Sequence, residues 1–207
     1  LIASTIQTIF SVQIAPFLEQ ETVILPEPIY LLFKQQIETF NQLEKTLIFW
    51  LAIWQEPISL CRLQTHLFNN NPTQVIDALA TLVRRSLVTQ HFLSDEPSFS
   101  LQPMVSTFVL DELIKAIVHE IAQAQQQHSI QPFQLLRTHC LIRPGTDDIL
   151  GDRILTTLQK NYQEHRSRPT PLLIENWLQQ IQEESSSTVG YLLFNLTILT
   201  DMLDVPF

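Results

Sequence analysis

Apolar residues recur at three- and four-residue spacing through most of this chain, and they alternate only between Leu87 and Leu101. Ile2, Ile6, Ile9, Phe10, Ile14 and Phe17 predict the end of an amphipathic helix over residues 1–20. Pro26 and Pro28 punctuate the connection to a second helical stretch, Ile29 to Thr39. Asn41 followed by Glu44 is a helix-start signal, because the Asn side chain can cap free amides while the Glu reaches back. Behind it Leu43, Leu47, Leu51 and Trp54 form one stripe, with Ile48 and Ala52 beside them. Pro57 ends that helix, and Ile58-Ser59-Leu60 is short enough for a single edge strand.

Arg62 to Phe68 reads as a brief helix stopped by Asn69-Asn70-Asn71. Pro72 suits the first turn of the next helix, whose core positions are expected to be Val75, Ile76, Leu79, Leu82 and Val83. Leu87 to Phe92 alternates as a strand, Ser94-Asp95-Glu96-Pro97 turns the chain, and Phe99-Ser100-Leu101 returns. A long helix then runs from Pro103 through Val105, Phe108, Val109, Leu113, Ile117 and Ile121 to the glutamines at 123–127. Four more helices are expected at Phe133–Leu141, Ile149–Tyr162, Pro171–Glu184 and Tyr191–Leu203. They are separated by the Arg143-Pro144-Gly145 break and by loops at His165–Pro171 and Ser185–Thr188. No short-period internal repeat is present.

Helix, short strand, helix, helix, hairpin, helix over Asn41 to Leu110 is the order of a winged helix, a module that reads DNA or serves as a joint in a larger machine. The expected fold class is mostly α: a winged-helix domain of three helices plus a small β-wing, followed by a helical bundle. The corresponding boundaries are 1–40 for a preceding helical end and linker, 41–110 for the winged helix and 111–207 for the bundle.

Composition narrows the uses. With 45% apolar and 16% charged residues, the 207-residue chain has the makings of a folded core. Its formal charge of −9 argues against non-specific binding to nucleic acid, which depends on Lys and Arg displacing phosphate counterions. Cys61 and Cys140 are isolated, as expected for reduced thiols in the cytoplasm. The longest strongly apolar run, Leu47 to Trp54, is far short of the ~20 residues that cross a bilayer, so no membrane is expected as partner. No basic segment precedes Leu1 and no signal peptide is expected; beginning in mid-pattern, the chain reads as cut from something longer at both ends. Glycine occurs only at 145, 151 and 190, and neither glycine-rich phosphate motif is present.

No cluster declares a catalytic or metal site. His119-Glu120 has Gln123 where a zinc-binding helix would carry its second histidine, and it reads as a surface pair. His139 and Cys140 are adjacent and point to different faces of a helix, with Cys140 expected in the core; Cys61 and His66 are an equally weak pair. Arg84-Arg85 closes the helix that would read DNA, but its N-terminal end holds Thr73, Gln74 and Asp77. Two arginines in a last turn complement the helix dipole, and that is the better reading. Phe49 and Trp50 lie off the buried stripe of their helix, which favours packing against a neighbouring domain.

Several strings resemble the NB-ARC class of signalling NTPases (STAND class), most closely the large cyanobacterial members that end in WD-repeat propellers. They are Leu1 to Ile6, Leu43-Glu44-Lys45 with Phe49 to Ile53, Glu56 to Leu60, Ala78-Leu79 to Leu82, Arg84 to Leu87, Phe99 to Val105, and Gly190-Tyr191 with Asn195-Leu196. The resemblance implies a regulatory arm between an upstream nucleotide-binding domain and a downstream repeat domain, in a protein that binds ATP or ADP with Mg2+ and forms a homo-oligomer on activation. Phosphate cleavage would then belong to upstream residues, and this chain would not itself be an enzyme. In many relatives a Met-His-Asp signature sets a histidine against ADP. Leu101-Gln102-Pro103 stands at that position here, so Gln102 is the residue that would face nucleotide, through an amide without imidazolium charge. The alternative is a winged-helix transcription regulator contacting DNA through Arg62, Arg84 and Arg85. A third reading is a scaffold that binds partners through Phe49, Trp50 and the C-terminal helices.

Overall fold

The helix at the centre of the larger unit starts where Asn41 and Glu44 exchange bonds. The Glu44 amide donates to Asn41 Oδ1 and the Asn41 amide to Glu44 Oε2, each at 2.9 Å. A computed structural model of the chain describes residues 26–67, 70–92, 96–143, 153–165, 169–184 and 186–204. The amphipathic stretch expected over 1–20, the middle of the expected turn at Ser94-Asp95 and the Pro144-Gly145 break lie outside the described residues. Two compact units are distinguished, Leu1–Glu38 and Thr39–Phe207. The first contributes helix α1, Glu27–Glu38.

In the second unit α2, Gln42–Trp54, ends at Gln55, whose left-handed backbone (φ 54°) turns its amide onto the Leu51 carbonyl. Leu47, Ile48, Trp50, Leu51, Ala52, Ile53 and Trp54 are all buried. A helix apolar on every side is enclosed on every side. It packs against α4 (Pro72–Arg84), α5 (Pro103–Gln127) and strand β3 (Pro97–Leu101).

Strand β1, Ile58–Ser59, and strand β2, Val88–Phe92, flank β3 in an antiparallel sheet of order β1-β3-β2, with Ile58 opposite Phe99 and Val88 opposite Leu101. Leu60, expected in the edge strand, instead opens helix α3, Leu60–Thr65, which the Ser59 hydroxyl caps. Asn71 caps α4 ahead of Pro72. Along α4 the buried stripe is Val75, Ala78, Leu79 and Leu82, whereas Ile76, expected in the core, is 49% exposed. One residue past Val75 is a rotation of about 100°, which carries Ile76 off that stripe.

The long helix α5 runs 25 residues and ends at His128 in the left-handed region. Beyond it the first of the four expected helices is mostly lost. Phe133–Leu141 is not a helix; only α6, Leu135–Thr138, is, and His139 is extended. Then come α7 (Arg153–His165), α8 (Pro171–Gln182), α9 (Ser186–Val189) and α10 (Leu192–Asp204). Their order accords with a mostly helical chain carrying one small sheet. The carboxamide of Gln180 on α8 accepts from the Ile130 amide and donates to the His128 carbonyl, tying α8 to the turn after α5.

One glycine is demanded by its surroundings. Gly190 has φ +52°, and a Cβ there would lie 2.2 Å from the Arg137 carbonyl oxygen. That carbonyl accepts from the Tyr191 amide at 2.9 Å, so the two backbones touch. Gly190→Ala is therefore expected to destabilise the chain by about 2–3 kcal/mol, from strain plus displaced backbone. Urea unfolding checks this: the midpoint should fall with the slope unchanged.

Candidate functional site

Two faces of α2 are covered by different parts of the chain, and the second face is where its polar and aromatic groups meet. Trp50, with no exposed surface, stacks on the His66 ring (centroids 4.6 Å, 25° between planes). It also meets His139 at 5.3 Å and Tyr191 edge-on at 5.5 Å. Phe49, the preceding position along α2, approaches His139 edge-on at 5.8 Å. Trp50 was expected to pack against a neighbouring domain, and two of its partners, His139 and Tyr191, lie in the stretch 111–207, within the same compact unit. Its partners come from α3, the α6 exit and the residue before α10, all within the same unit. The ring faces a direction off the main stripe because the polypeptide returns there at His139 and Tyr191, far along the chain, which no local pattern encodes.

His139 is buried, and both ring nitrogens are engaged. Nε2 lies 3.1 Å from the Thr46 carbonyl, an acceptor, so Nε2 carries the hydrogen and the neutral Nδ1 accepts from the Thr138 hydroxyl at 2.9 Å. Burial disfavours the charged ring and pulls its pKa down to about 4, against a smaller opposing effect of the Thr46 and Leu135 backbone. His66 Nδ1 shares a hydrogen bond of 3.0 Å with the Tyr191 hydroxyl. Its pKa is lowered too, first by burial and then by the Arg62 charge.

The stretch 136–141, the end of α6 and the extended residues after it, keeps its shape through a side chain from α10. Asn195, fully buried, donates through Nδ2 to the carbonyls of Leu136 and His139, both at 2.7 Å, and accepts through Oδ1 from the Leu141 amide at 2.9 Å. A buried amide with three bonds is a satisfied group that fixes one backbone geometry. Arg137 forks onto both oxygens of Glu184, reaching Oε1 through Nη2 at 3.0 Å, and donates to the Thr188 carbonyl at 2.8 Å. Those bonds hold the Glu184 carboxyl below its ordinary value. Glu120, expected in a surface pair with His119, is half-buried and accepts from the amides of Gln134, Leu135 and Leu136, capping α6. Desolvation nevertheless raises its pKa. His119 itself is exposed.

The residues named from sequence as contacts are dispersed. Gln102 is the N-cap of α5, half-buried; its amide donates to the Leu87 carbonyl, its carbonyl accepts from Ser106, and its side chain makes no capping bond. Arg62 lies over the Trp54 ring at 4.2 Å. Arg85 lies over Phe40 at 5.1 Å and donates to the Thr39 hydroxyl at 3.0 Å. Arg84 donates to Thr81 one turn back. Two of the three arginines are thus engaged with aromatic faces. Cys140 is buried and Cys61 exposed, neither in a disulfide. Among the described residues no group of three His, Cys, Asp or Glu side chains is placed to hold a metal, and no helix is long and apolar enough to cross a membrane.

Sequence reasoning overlooked Asn195 and Tyr191 as structural keys. The signal was there: an asparagine inside Leu192-Leu193-Phe194-Asn195-Leu196 has to find partners if it is buried. What it bonds to was not legible. Chemically, the arrangement does not present a nucleophile beside a base. It is an interlock between the sheet-bearing half, through α2 and α3, and the C-terminal helices.

Part of this chain is similar to a WD repeat-containing protein. That protein, uncharacterized, is from Nostoc sp. (strain PCC 7120 / SAG 25.82 / UTEX 2576), and is 31% identical over 126 residues, 59% of this chain. The matched stretch covers 10% of the relative's length, so this chain corresponds to a small part of it. No family model matches, and no solved structure matches.

Both histidines have folded-state pKa values below the unfolded value, so each binds protons more readily in the unfolded chain. Their contribution is complete above about pH 6.5 and is lost as pH falls toward the folded values. For His139 alone, the unfolding free energy is expected to drop by about 1.5–2 kcal/mol between pH 7 and pH 5. Urea unfolding at the two pH values measures it, and in His139→Phe, which keeps a ring but does not titrate, most of that difference should vanish.

Proposed function

We propose that this chain is the regulatory winged-helix and helical arm of a STAND-type, ATP-dependent signalling switch in the cytoplasm. It couples the nucleotide state of an upstream ATPase domain to a downstream WD-repeat sensor. The observation that carries the reading is the three-stranded sheet, a lone β1 joined to the β2–β3 hairpin around α2, α3 and α4. This is the layout a winged helix requires, and it occurs in a chain similar to a WD repeat-containing protein. The interlock around Trp50 and Asn195 adds support. An arm that transmits a swing needs its two halves to move together, and a packed, hydrogen-bonded joint is stiff enough to do so.

In this reading the intact protein holds ATP or ADP with Mg2+ in residues outside this chain, and self-association follows activation. The fit of this chain to a nucleotide is limited to one contact. Gln102 sits where the hairpin returns into α5, and its carboxamide does not cap that helix, which leaves the amide available to donate outward. Without a glycine-rich cradle the chain does not hold a nucleotide by that means. Gln102→Ala in the full-length protein is expected to shorten ADP retention several-fold, measured by release of a fluorescent ADP analogue. Unchanged retention would falsify the role of Gln102.

A winged helix that read DNA would need basic side chains free to reach phosphate. Arg62 and Arg85 are instead held on aromatic rings, and the start of α4 presents Thr73, Gln74 and Asp77. The isolated chain is therefore expected not to shift duplex DNA at physiological salt. Salt-dependent binding that Arg84→Ala and Arg85→Ala weaken would return the transcription-regulator reading to first place.

A further inference from the structure

The C-terminal segment supplies the larger share of the long-range bonds that shape residues 136–141, beside Glu120 at the Leu136 amide and the Thr46 carbonyl at the His139 ring. Asn195 supplies three, the Tyr191 amide meets the Arg137 carbonyl, and Glu184 and Thr188 hold the Arg137 guanidinium. With only four residues, α6 lacks a helical ladder long enough to hold that stretch by itself. Tyr191 and His139 in turn are two of the groups that close over Trp50. Helix α10 packs on α6, α7 and α8 and exposes Leu193, Phe194 and Thr197 along its outer side, as an element in the outer layer does. The core made by α2, α4, α5 and β3 is held instead by its own apolar contacts: Leu47, Leu51, Val109 and Leu113 are essentially without exposed surface.

We propose that α10 is the release latch of this joint. When α10 leaves its seat, Asn195 withdraws from Leu136, His139 and Leu141 and Tyr191 withdraws from His66. The 136–141 stretch and Trp50 then come free in one step, while α2, α4, α5 and the sheet stay folded. The order of opening follows from polarity as well as position. Losing Asn195 leaves two buried carbonyls and one buried amide unpaired at once, so the stretch cannot remain in place without it. The use of such a latch in signalling rests on the arm reading above, whereas its geometry does not. The experiment below probes only the geometry, so an arm without this latch and a latch in some other protein remain distinguishable results.

Native-state hydrogen exchange of the 207-residue chain tests it. The Leu141 amide is the reporter, because its hydrogen bond goes to Asn195 Oδ1. Leu141 is expected to exchange with the same protection factor as the Asn195 and Leu199 amides of α10, at least about tenfold less protected than Leu51 and Val109. In Asn195→Asp, which keeps the side-chain shape but loses both Nδ2 donors, Leu141 and α10 should speed up together by about tenfold or more, with Leu51 and Val109 unchanged. Leu141 exchanging with the core would overturn the proposal, as would Leu141 opening independently of α10. Should Asn195→Asp fail to fold, the exchange pattern of the unsubstituted chain still decides between these outcomes.

Discussion

Burial of the Asn195 carboxamide constrains the second half of this chain. A buried amide offers two donors and one acceptor, and each left unpaired would be costly in a dry interior. Here the Leu136 and His139 carbonyls and the Leu141 amide take them up. Those three bonds hold residues 139–141 out of helical geometry after α6, place the His139 ring against Phe49 and Trp50, and aim Nε2 at the Thr46 carbonyl. Arg137, brought alongside, forks onto Glu184, and its carbonyl comes so near residue 190 that only glycine fits. One satisfied polar group thus sets the register of α6, α9 and the start of α10.

The joint that results is mixed in character. Its aromatic part, Trp50 between His66, His139 and Tyr191, supplies apolar burial with oriented rings. Its polar part supplies direction. The indole Nε1 of Trp50 is buried without a hydrogen-bond partner, so that ring is held by packing and stacking alone. Burial of neutral imidazoles, complete for His139 and partial for His66, makes the same joint sensitive to acid, because a charge on either ring is poorly hydrated there. Surface pairs such as Arg143–Glu56, at 2.8 Å, add little by comparison, since solvent screens them.

The engaged arginines bear on use. Cations lying on Trp54 and Phe40 hold the edges of α2 and α4 in place, and their charge is partly spent on the rings. Together with the net charge of −9, this works against gripping phosphate.

By itself the sequence determined the elements whose cause is local. Asn41 with Glu44, Asn71 before Pro72, and Thr170 before Pro171 start helices through bonds within three residues, and apolar spacing carries α2, α4, α5, α8 and α10 to nearly their observed lengths. The alternation at Leu87–Phe92 and Phe99–Leu101 likewise placed the hairpin. Only the tertiary structure decided that Phe133–Leu141 would give up its helix, that Trp50 would face inward, and that Glu120 would cap α6. Each depends on a partner far along the chain. Asn195 lies 54 to 59 positions from the groups it bonds, and His139 lies 93 from Thr46. A helical period records which side of a segment is apolar, but not which distant carbonyl or amide will arrive to satisfy a buried polar group, and that arrival shaped the joint.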